Sequence, residues 1–239
     1  MGRLDELREL IEKSDNIVFF GGAGVSVESG IPDFRSQDGI YAQKYPYPPE
    51  IILSHSFFMT HTAEFYDFYR EKMIYKDAKP NAAHLALARL EKKKKLSAVV
   101  TQNIDGLHRA AGSNKVFELH GSIYHNYCMK CGRHYGLESI TDSVGVPHCE
   151  CGGIIKPDVV LYEEMLDEYT MQMAAAHIQA ADCLIVGGTS LSVYPAAGFV
   201  EQYMGDRLIV INKSPTQADK NAALVINDGI AAVFESLGV

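Results

Sequence analysis

Short apolar runs rich in β-branched residues punctuate the chain at Ile17–Phe20, Ala98–Val100, Val116–Leu119, Cys183–Val186, Leu208–Ile211 and Leu224–Ile226. Runs of this length without polar alternation read as strands buried on both faces, and helical or loop-like stretches separate most of them. Strands alternating with helices predict a mostly parallel, doubly wound α/β sheet of Rossmann-like type. Apolar residues recur at helical spacing at Leu4, Leu7, Leu10 and Ile11, over Ala82–Leu90, and with many aromatics over Phe57–Tyr75. Two stretches break the rhythm. Ile40–Ala78 opens with the stiff loop Tyr45–Pro46–Tyr47–Pro48–Pro49, and Ser122–Pro157 is rich in Cys, Gly, His and Tyr. The expected division is therefore a main α/β domain from residues 1–39, 80–121 and 158–239. Residues 40–79 form a helical lid and 122–157 a metal-stabilised insertion, and the two together make a smaller domain.

The chain has 239 residues, 47% of them apolar, which suffices for one sizeable core. No stretch of about 18 uninterrupted apolar residues predicts a membrane helix, and the N-terminus lacks a charged-then-apolar leader, so a soluble cytoplasmic protein is expected. A net charge of −8 argues against a free nucleic-acid binder and suits lysine-rich protein segments as partners. The one basic run, Lys92–Lys95, follows a helical pattern and reads as a solvated helix end, where cations are favoured. Four of the five cysteines stand as Cys128-x-x-Cys131 and Cys149-x-Cys151. Four thiolates on two knuckles predict a closed, structural zinc site in a reducing compartment. His148 beside the second pair is an alternative ligand, and plain buried cysteines are the other reading; Cys183 lies in a core strand pattern.

Candidate chemistry begins where the first strand ends. Gly21–Arg35 is a glycine-rich exit from a buried strand, and glycines there let a backbone approach a pyrophosphate, with a following helix start offering N–H groups to the anion. Gly22 and Gly24 fit the dinucleotide fingerprint, but Val27 replaces its third glycine. No acidic residue ends a second strand about 20 residues on. Hydride-transfer chemistry is thereby disfavoured.

Read with Thr101–Gln102–Asn103–Ile104–Asp105–Gly106–Leu107–His108, with Glu118–Leu119–His120–Gly121–Ser122 and with Gly188–Ala196, this segment resembles the motifs of the sirtuin family, in the family's order. The cysteine pairs stand where sirtuins carry their zinc module, and the resemblance covers essentially the whole chain. It implies a Rossmann-like domain, a smaller zinc-bearing domain and an active site in the cleft between them. The implied activity is NAD-dependent protein-lysine deacetylation, with NAD consumed as co-substrate. An acyl-lysine oxygen attacks the nicotinamide ribose, nicotinamide leaves, and O-acetyl-ADP-ribose and free lysine are released.

The resemblance also implies roles. His120 is the general base, Asn103 positions ribose and water, and Gln102 bonds a ribose hydroxyl. Ala23, Ile31, Phe34, Ile104 and Asp105 form the nicotinamide pocket. Gly22, Gly24, Val27, Asp33 and Arg35 belong to the cofactor loop, with Arg35 a phosphate partner. Gly188, Thr189 and Ser190 reach phosphate or ribose, as does Ser26, and Asn212, Lys213, Asp228 and Ile230 hold the adenosine end. Val159, Val160, Leu161 and Tyr162, with Val193 opposite, bind the acyl-lysine peptide as an added strand; a simple core strand is the competing reading for Val159–Leu161. Two departures stand out: the second cysteine pair is one residue tighter than usual, and Tyr162–Glu163–Glu164 replaces the more usual Phe-Gly-Glu. Members that prefer acidic acyl groups carry Tyr-x-x-Arg, whereas Tyr66 here is followed by Tyr69 at that place, with Arg70 expected to point away. Neutral acyl groups are therefore expected. The rival functions are protein ADP-ribosylation and a non-catalytic NAD or ADP-ribose sensor.

Overall fold

The apolar runs assemble into one parallel sheet in the computed structural model, which describes residues 2–36 and 39–238. The strands are β1 (Ile17–Gly21), β2 (Leu96–Thr101), β3 (Val116–Glu118), β4 (Gly121–Cys128), β5 (His134–Tyr135), β6 (Ile155–Val159), β7 (Cys183–Gly187), β8 (Leu208–Ile211) and β9 (Leu224–Ile226). Six of them lie in the order β3-β2-β1-β7-β8-β9, every neighbouring pair parallel. The other three form an antiparallel sheet, β5-β4-β6.

The main strands lack polar alternation because both faces are covered. Side chains still alternate: Ile17, Phe19, Val99, Cys183, Ile185, Ile209 and Ile211 join the core on one face. Val18, Phe20, Ala98, Val100, Leu184, Val186 and Val210 join the core on the other. The first core is closed by the helices Arg3–Glu12, Ala82–Lys92 and Ile230–Leu237, the second by Glu168–Ala180 and the turn Ala196–Gln202. Asn81 and Asp167 start two of these helices, each accepting a backbone N–H from the first turn. The connections run outward in opposite directions from β1 and β7, so a crevice opens at the carboxyl ends of these two strands.

A third core is largely aromatic and lies on the small sheet, with Phe57, Phe58, Phe65, Tyr66, Phe68 and Tyr69 packed with Ile123 and Ile155. The helix expected over 57–75 is two helices, His55–Thr60 and Thr62–Lys72, broken at His61. The hydroxyls of Thr60 and Thr62 bond back to the carbonyls of Ser56 and Phe58, both at 2.7 Å, and so compete with helix continuation at the break. Among the described residues no helix is long and apolar enough to cross a membrane.

His84 and His108 are packed ring to ring at 4.7 Å under Phe19, with His84 Nε2 and both His108 nitrogens buried without partners. Burial holds His84 near 4 and His108 well below its ordinary value, so both stay neutral in the fold. An unfolded chain takes up these protons below about pH 6.5, while the folded chain resists until much lower pH. Stability is therefore full above that value and falls as pH drops towards 4, by up to about 1.4 kcal/mol per pH unit per histidine. The melting temperature should fall between pH 7 and pH 5, and His84→Gln should flatten the slope; an unchanged slope contradicts the neutral pair.

Candidate active site

Each strand of the main sheet delivers its predicted site residues just past its carboxyl end. Gly22–Gly24 follow β1, Gln102–Asp105 follow β2, His120 follows β3, Gly188–Ser190 follow β7, Asn212 and Lys213 follow β8, and Asp228–Ile230 follow β9. At the floor, the loops after β1 and β7 touch backbone to backbone. Gly24 N–H donates to Gly188 O at 2.8 Å and Gly22 N–H to Gly187 O at 3.3 Å. A Cβ on Gly24 would stand 2.8 Å from Gly188 Cα, so this contact accounts for the glycines directly. It also corrects the expectation of a phosphate-cradling helix start. Ala23–Val25 and Val27–Ser29 are short 3₁₀ turns, and the Gly22 and Gly24 donors are already used.

Above the floor, Asn103 Nδ2 donates to Ser26 Oγ at 3.1 Å and Ser26 Oγ donates to Asp105 Oδ2 at 2.6 Å. Asp105 Oδ1 accepts Leu107 N–H at 2.9 Å. Burial raises the Asp105 pKa, against the lowering effect of these two hydrogen bonds. Thr189 Oγ1 donates to Gln102 Oε1 at 3.0 Å, joining the β2 and β7 loops. His120 Nδ1 lies 2.9 Å from Gln102 O. A carbonyl only accepts, so Nδ1 carries the proton and Nε2 keeps its lone pair. Burial lowers the His120 pKa against the raising effect of that hydrogen bond, and so favours the neutral ring. A neutral imidazole held by one nitrogen is poised as a base at the other.

The glycine-rich segment after β1 reaches the third core: half-buried Phe34 and Ile104 both pack against its aromatic residues, while Val27 and Ile31 are half-buried. Arg35 is exposed, with Cζ 5.5 Å from the Tyr41 ring centre. Several predicted ligands are otherwise engaged. Asp33 Oδ1 accepts the N–H groups of Arg35 and Ser36 and so shapes its own turn. Asp228 Oδ1 accepts Gly229 N–H, Asn212 Nδ2 donates to Ser214 O at 2.7 Å, and the Ile230 side chain is 3% exposed in the main core. Ser190 is exposed and bonded to Ser192. One residue went unforeseen: Asn81 Nδ2 holds the loop at Val25 O (2.8 Å) and Ser29 Oγ (3.0 Å), and only its capping place before a helical run was visible in advance.

Val159 is not in a strand of the main sheet; it ends β6, the edge strand of the small sheet, opposite Gly121, and is buried with the aromatic core. The N–H groups of Val160, Leu161 and Tyr162 are spent on His120 O, Glu164 Oε2 and Leu53 O. Val193 stays half-buried across the chain's β7 loop. Glu163 takes φ +74° without being glycine, and its carboxylate accepts Ser56 N–H (2.9 Å) and Oγ–H (2.6 Å). The side-chain geometry at Arg70 also differs from expectation. Residues i and i+4 on a helix lie only about 40° apart, so Arg70 shares the face of Tyr66, its Cζ 5.3 Å over that ring. Its guanidinium is nevertheless committed, to Ile140 O, Ser143 Oγ and Gly145 O, and Tyr66 donates to Ile155 O. Arg70 borders a cavity of about 550 Å³ with Ser29, Tyr75 and Lys76, lined by none of the predicted cofactor residues.

The sulfurs of Cys128, Cys131, Cys149 and Cys151 lie within 4.8 Å of one another. The Cys128–Cys151 and Cys131–Cys149 distances are 3.5 and 3.6 Å, too long for disulfides. Tetrahedral zinc with bonds of about 2.3 Å holds its sulfurs about 3.8 Å apart, so the four thiols fit that ion. Exposed His148 stands outside the cluster, its Nδ1 bonded to Val146 O at 2.7 Å.

A parallel sheet with its crevice at the strand reversal, and a second small sheet clasped by four cysteines, define an α/β protein of the dinucleotide-binding class. The sequence model of the Sir2 family matches residues 22–195. The NAD-dependent protein deacetylase of Clostridium acetobutylicum is 57% identical, over 99% of this chain and 98% of its own. That of Cutibacterium acnes is 50% identical over 98% and 96%. Among solved structures, a Sir2 with a deacetylated p53 peptide and 3′-O-acetyl ADP ribose superposes with a TM-score of 0.90 at 38% identity, covering 97% of this chain and 96% of that one. The chain belongs to the Sir2 family, the sirtuins.

Metal analysis should return one zinc per chain. Because such a site contributes folding free energy directly, Cys128→Ser should leave little soluble protein and a strong chelator should lower the melting temperature. A folded, active, metal-free Cys128→Ser protein would remove the structural role.

Proposed function

We infer that the chain is an NAD-dependent protein-lysine deacetylase working in the crevice between a main domain of residues 1–39, 80–121 and 158–239 and a small domain of 40–79 and 122–157. The observation that carries this reading is His120, anchored at Nδ1 with Nε2 free at the strand end beside the Asn103–Ser26–Asp105 network. NAD, when bound, supplies an electrophilic ribose carbon that takes up the acyl oxygen as nicotinamide departs. His120 Nε2 accepts the proton of a ribose hydroxyl. Asn103 orients water and ribose, Asp105 the carboxamide, and Phe34 with Ile104 walls the pocket from solvent. Arg35, exposed and without an acidic partner among the described residues, pairs with phosphate. The glycine contact limits the pyrophosphate's backbone partners in this loop. The four thiolates hold one structural zinc.

The acyl-lysine segment lies between residues 159–163 and 192–194; with the N–H groups of Val160, Leu161 and Tyr162 already used, the contact falls to backbone carbonyls and to the side chains of Val160 and Tyr162. Reduced thiolates at the zinc cluster fit a cytoplasmic setting. The solved Sir2 structures with acetylated and propionylated peptides support this substrate class.

Incubation with NAD and an acetylated peptide, read by mass spectrometry, should show loss of the acetyl group with O-acetyl-ADP-ribose appearing. ADP-ribose gained by the peptide, or no change, would favour one of the rivals. His120→Ala should lower turnover by at least about 10²-fold while calorimetric NAD binding persists, because the lost group is a base and not the anchor.

Arg70, the guanidinium on the Tyr66 face, is committed to Ile140 O, Ser143 Oγ and Gly145 O, and burying a carboxylate without a partner is costly. With the same peptide, kcat/KM for succinyl-lysine should be at least about tenfold below that for acetyl-lysine. Equal turnover would mean that Arg70 leaves its carbonyls for the substrate.

A further inference from the structure

Tyr41 sits at the joint of the cofactor loop. Its N–H donates to Phe34 O at 2.9 Å, its ring meets Phe34 edge-on at 5.5 Å, and the Arg35 guanidinium lies over its other side. Tyr162 sits on the substrate segment, pinned on both sides of its peptide unit. Its N–H donates to Leu53 O at 2.9 Å, and its carbonyl accepts His55 N–H at 3.0 Å. The next residue, Glu163, is fixed by Ser56 in its left-handed conformation. The two phenol oxygens meet 2.7 Å apart. This is a hydrogen bond between a loop of the cofactor side and a segment of the peptide side, made by a group that phenylalanine at 162 would lack.

We propose that the Tyr41–Tyr162 hydroxyl pair is a positioning latch that holds the cofactor loop, with Phe34 and Arg35 on it, in register with the acyl-peptide segment. The inference rests on the deacetylase reading for the roles of the two segments, and on the bond itself for their coupling. Burial and the bond to Tyr162 both push the Tyr41 phenol up, so its hydroxyl keeps its proton across the working range. Each hydroxyl matters only through the other. A net hydrogen bond of about 0.5–1.5 kcal/mol corresponds to about 2–13-fold in an equilibrium constant, and that is the expected size of the latch.

The test is a double-mutant cycle with Tyr41→Phe, Tyr162→Phe and the pair together. Both substitutions keep the rings, so the fold should survive, and retained melting temperature checks this. With acetyl-peptide saturating, each single variant should raise KM for NAD about 2–13-fold, with the loss falling on KM more than on kcat, and the double variant should be no worse than either single. Trypsin cleavage after Arg35 should accelerate by a similar factor in all three proteins. Additive effects, an unchanged NAD KM, or a shift in peptide KM confined to Tyr162→Phe would overturn the latch, as would unaltered cleavage after Arg35. Failure of the wild-type chain to deacetylate would sink the functional reading instead, and non-additive cleavage rates would then still uphold the bond.

Discussion

The crevice exists because two backbones are allowed to touch. At the reversal between β1 and β7, Gly24 and Gly188 approach so closely that a side chain on either would strike main chain: a Cβ on Gly188 would lie 2.4 Å from Val25 N. Gly188 also takes φ +59°, a conformation that other residues adopt only at a cost. With main chain as the floor, the side chains around it are free to form the walls. Thr189 reaches Gln102 across the gap, Asn103 and Asp105 meet through Ser26, and His120 is held by the same Gln102 whose carbonyl ends the β2 exit. Hydrogen bonds therefore link the exits of β1, β2, β3 and β7, and the chemistry depends on their register.

The small sheet carries the same order to its far end. β4 leaves His120 and runs to Cys128, while β6 starts after Cys151 and ends at Val159, with Gly121 opposite Val159 and Cys128 opposite Ile155. β6 covers the same span in four residue steps, about 13 Å at about 3.3 Å each, so the cysteine cluster stands at the far end of the small sheet from His120, and a zinc ion held there would fix strands and touch no reacting atom. A buried ion pair completes the splint. Lys156, 4% exposed, spends its ammonium donors on Pro157 O, Val159 O and Glu164 Oε2. Burial alone would raise the Glu164 carboxyl, yet hydrogen bonds from His55, Leu161 and Lys156 hold it below its ordinary range. Truncating either partner of such a pair commonly costs about 3–5 kcal/mol, because the other charge is left buried.

What could be read from the residues divides along a physical line. Strands were legible because burial on both faces removes polar positions altogether, and Ile17–Phe20 or Cys183–Val186 admit little else. Strand exits were legible because chemistry at parallel sheets gathers there, which made His120 and the Gln102–Asp105 run conspicuous. Three-dimensional commitments of side chains were not. Asp33 spends its carboxylate on a local turn, Ile230 joins the core from the first turn of its helix, and Gly22 and Gly24 serve a neighbouring backbone. Each lies in a segment whose neighbours pointed to the cofactor; for Ile230 and the glycines only partners distant in sequence reveal the difference, and for Asp33 it is the fold of its own turn. The break at His61 was hidden for a related reason: apolar spacing continues through it, and the hydroxyls that end the first helix look like ordinary helix residues.

Glu163 shows how a missing glycine can be absorbed. A left-handed residue with a side chain costs roughly 1–2 kcal/mol, and a turn motif written with glycine avoids that cost. Here the carboxylate that replaces the hydrogen accepts two bonds from Ser56 at the first turn of the helix His55–Thr60, which hold the residue in that conformation. The substitution therefore leaves the turn in place and adds a tie to the helix His55–Thr60. It fixes the residue following Tyr162, so the phenol that meets Tyr41 is presented by a turn with little freedom of its own. A glycine at 163 would relax the backbone and loosen that presentation. The loss of a motif residue and the gain of the Tyr162 hydroxyl are thus parts of one local arrangement.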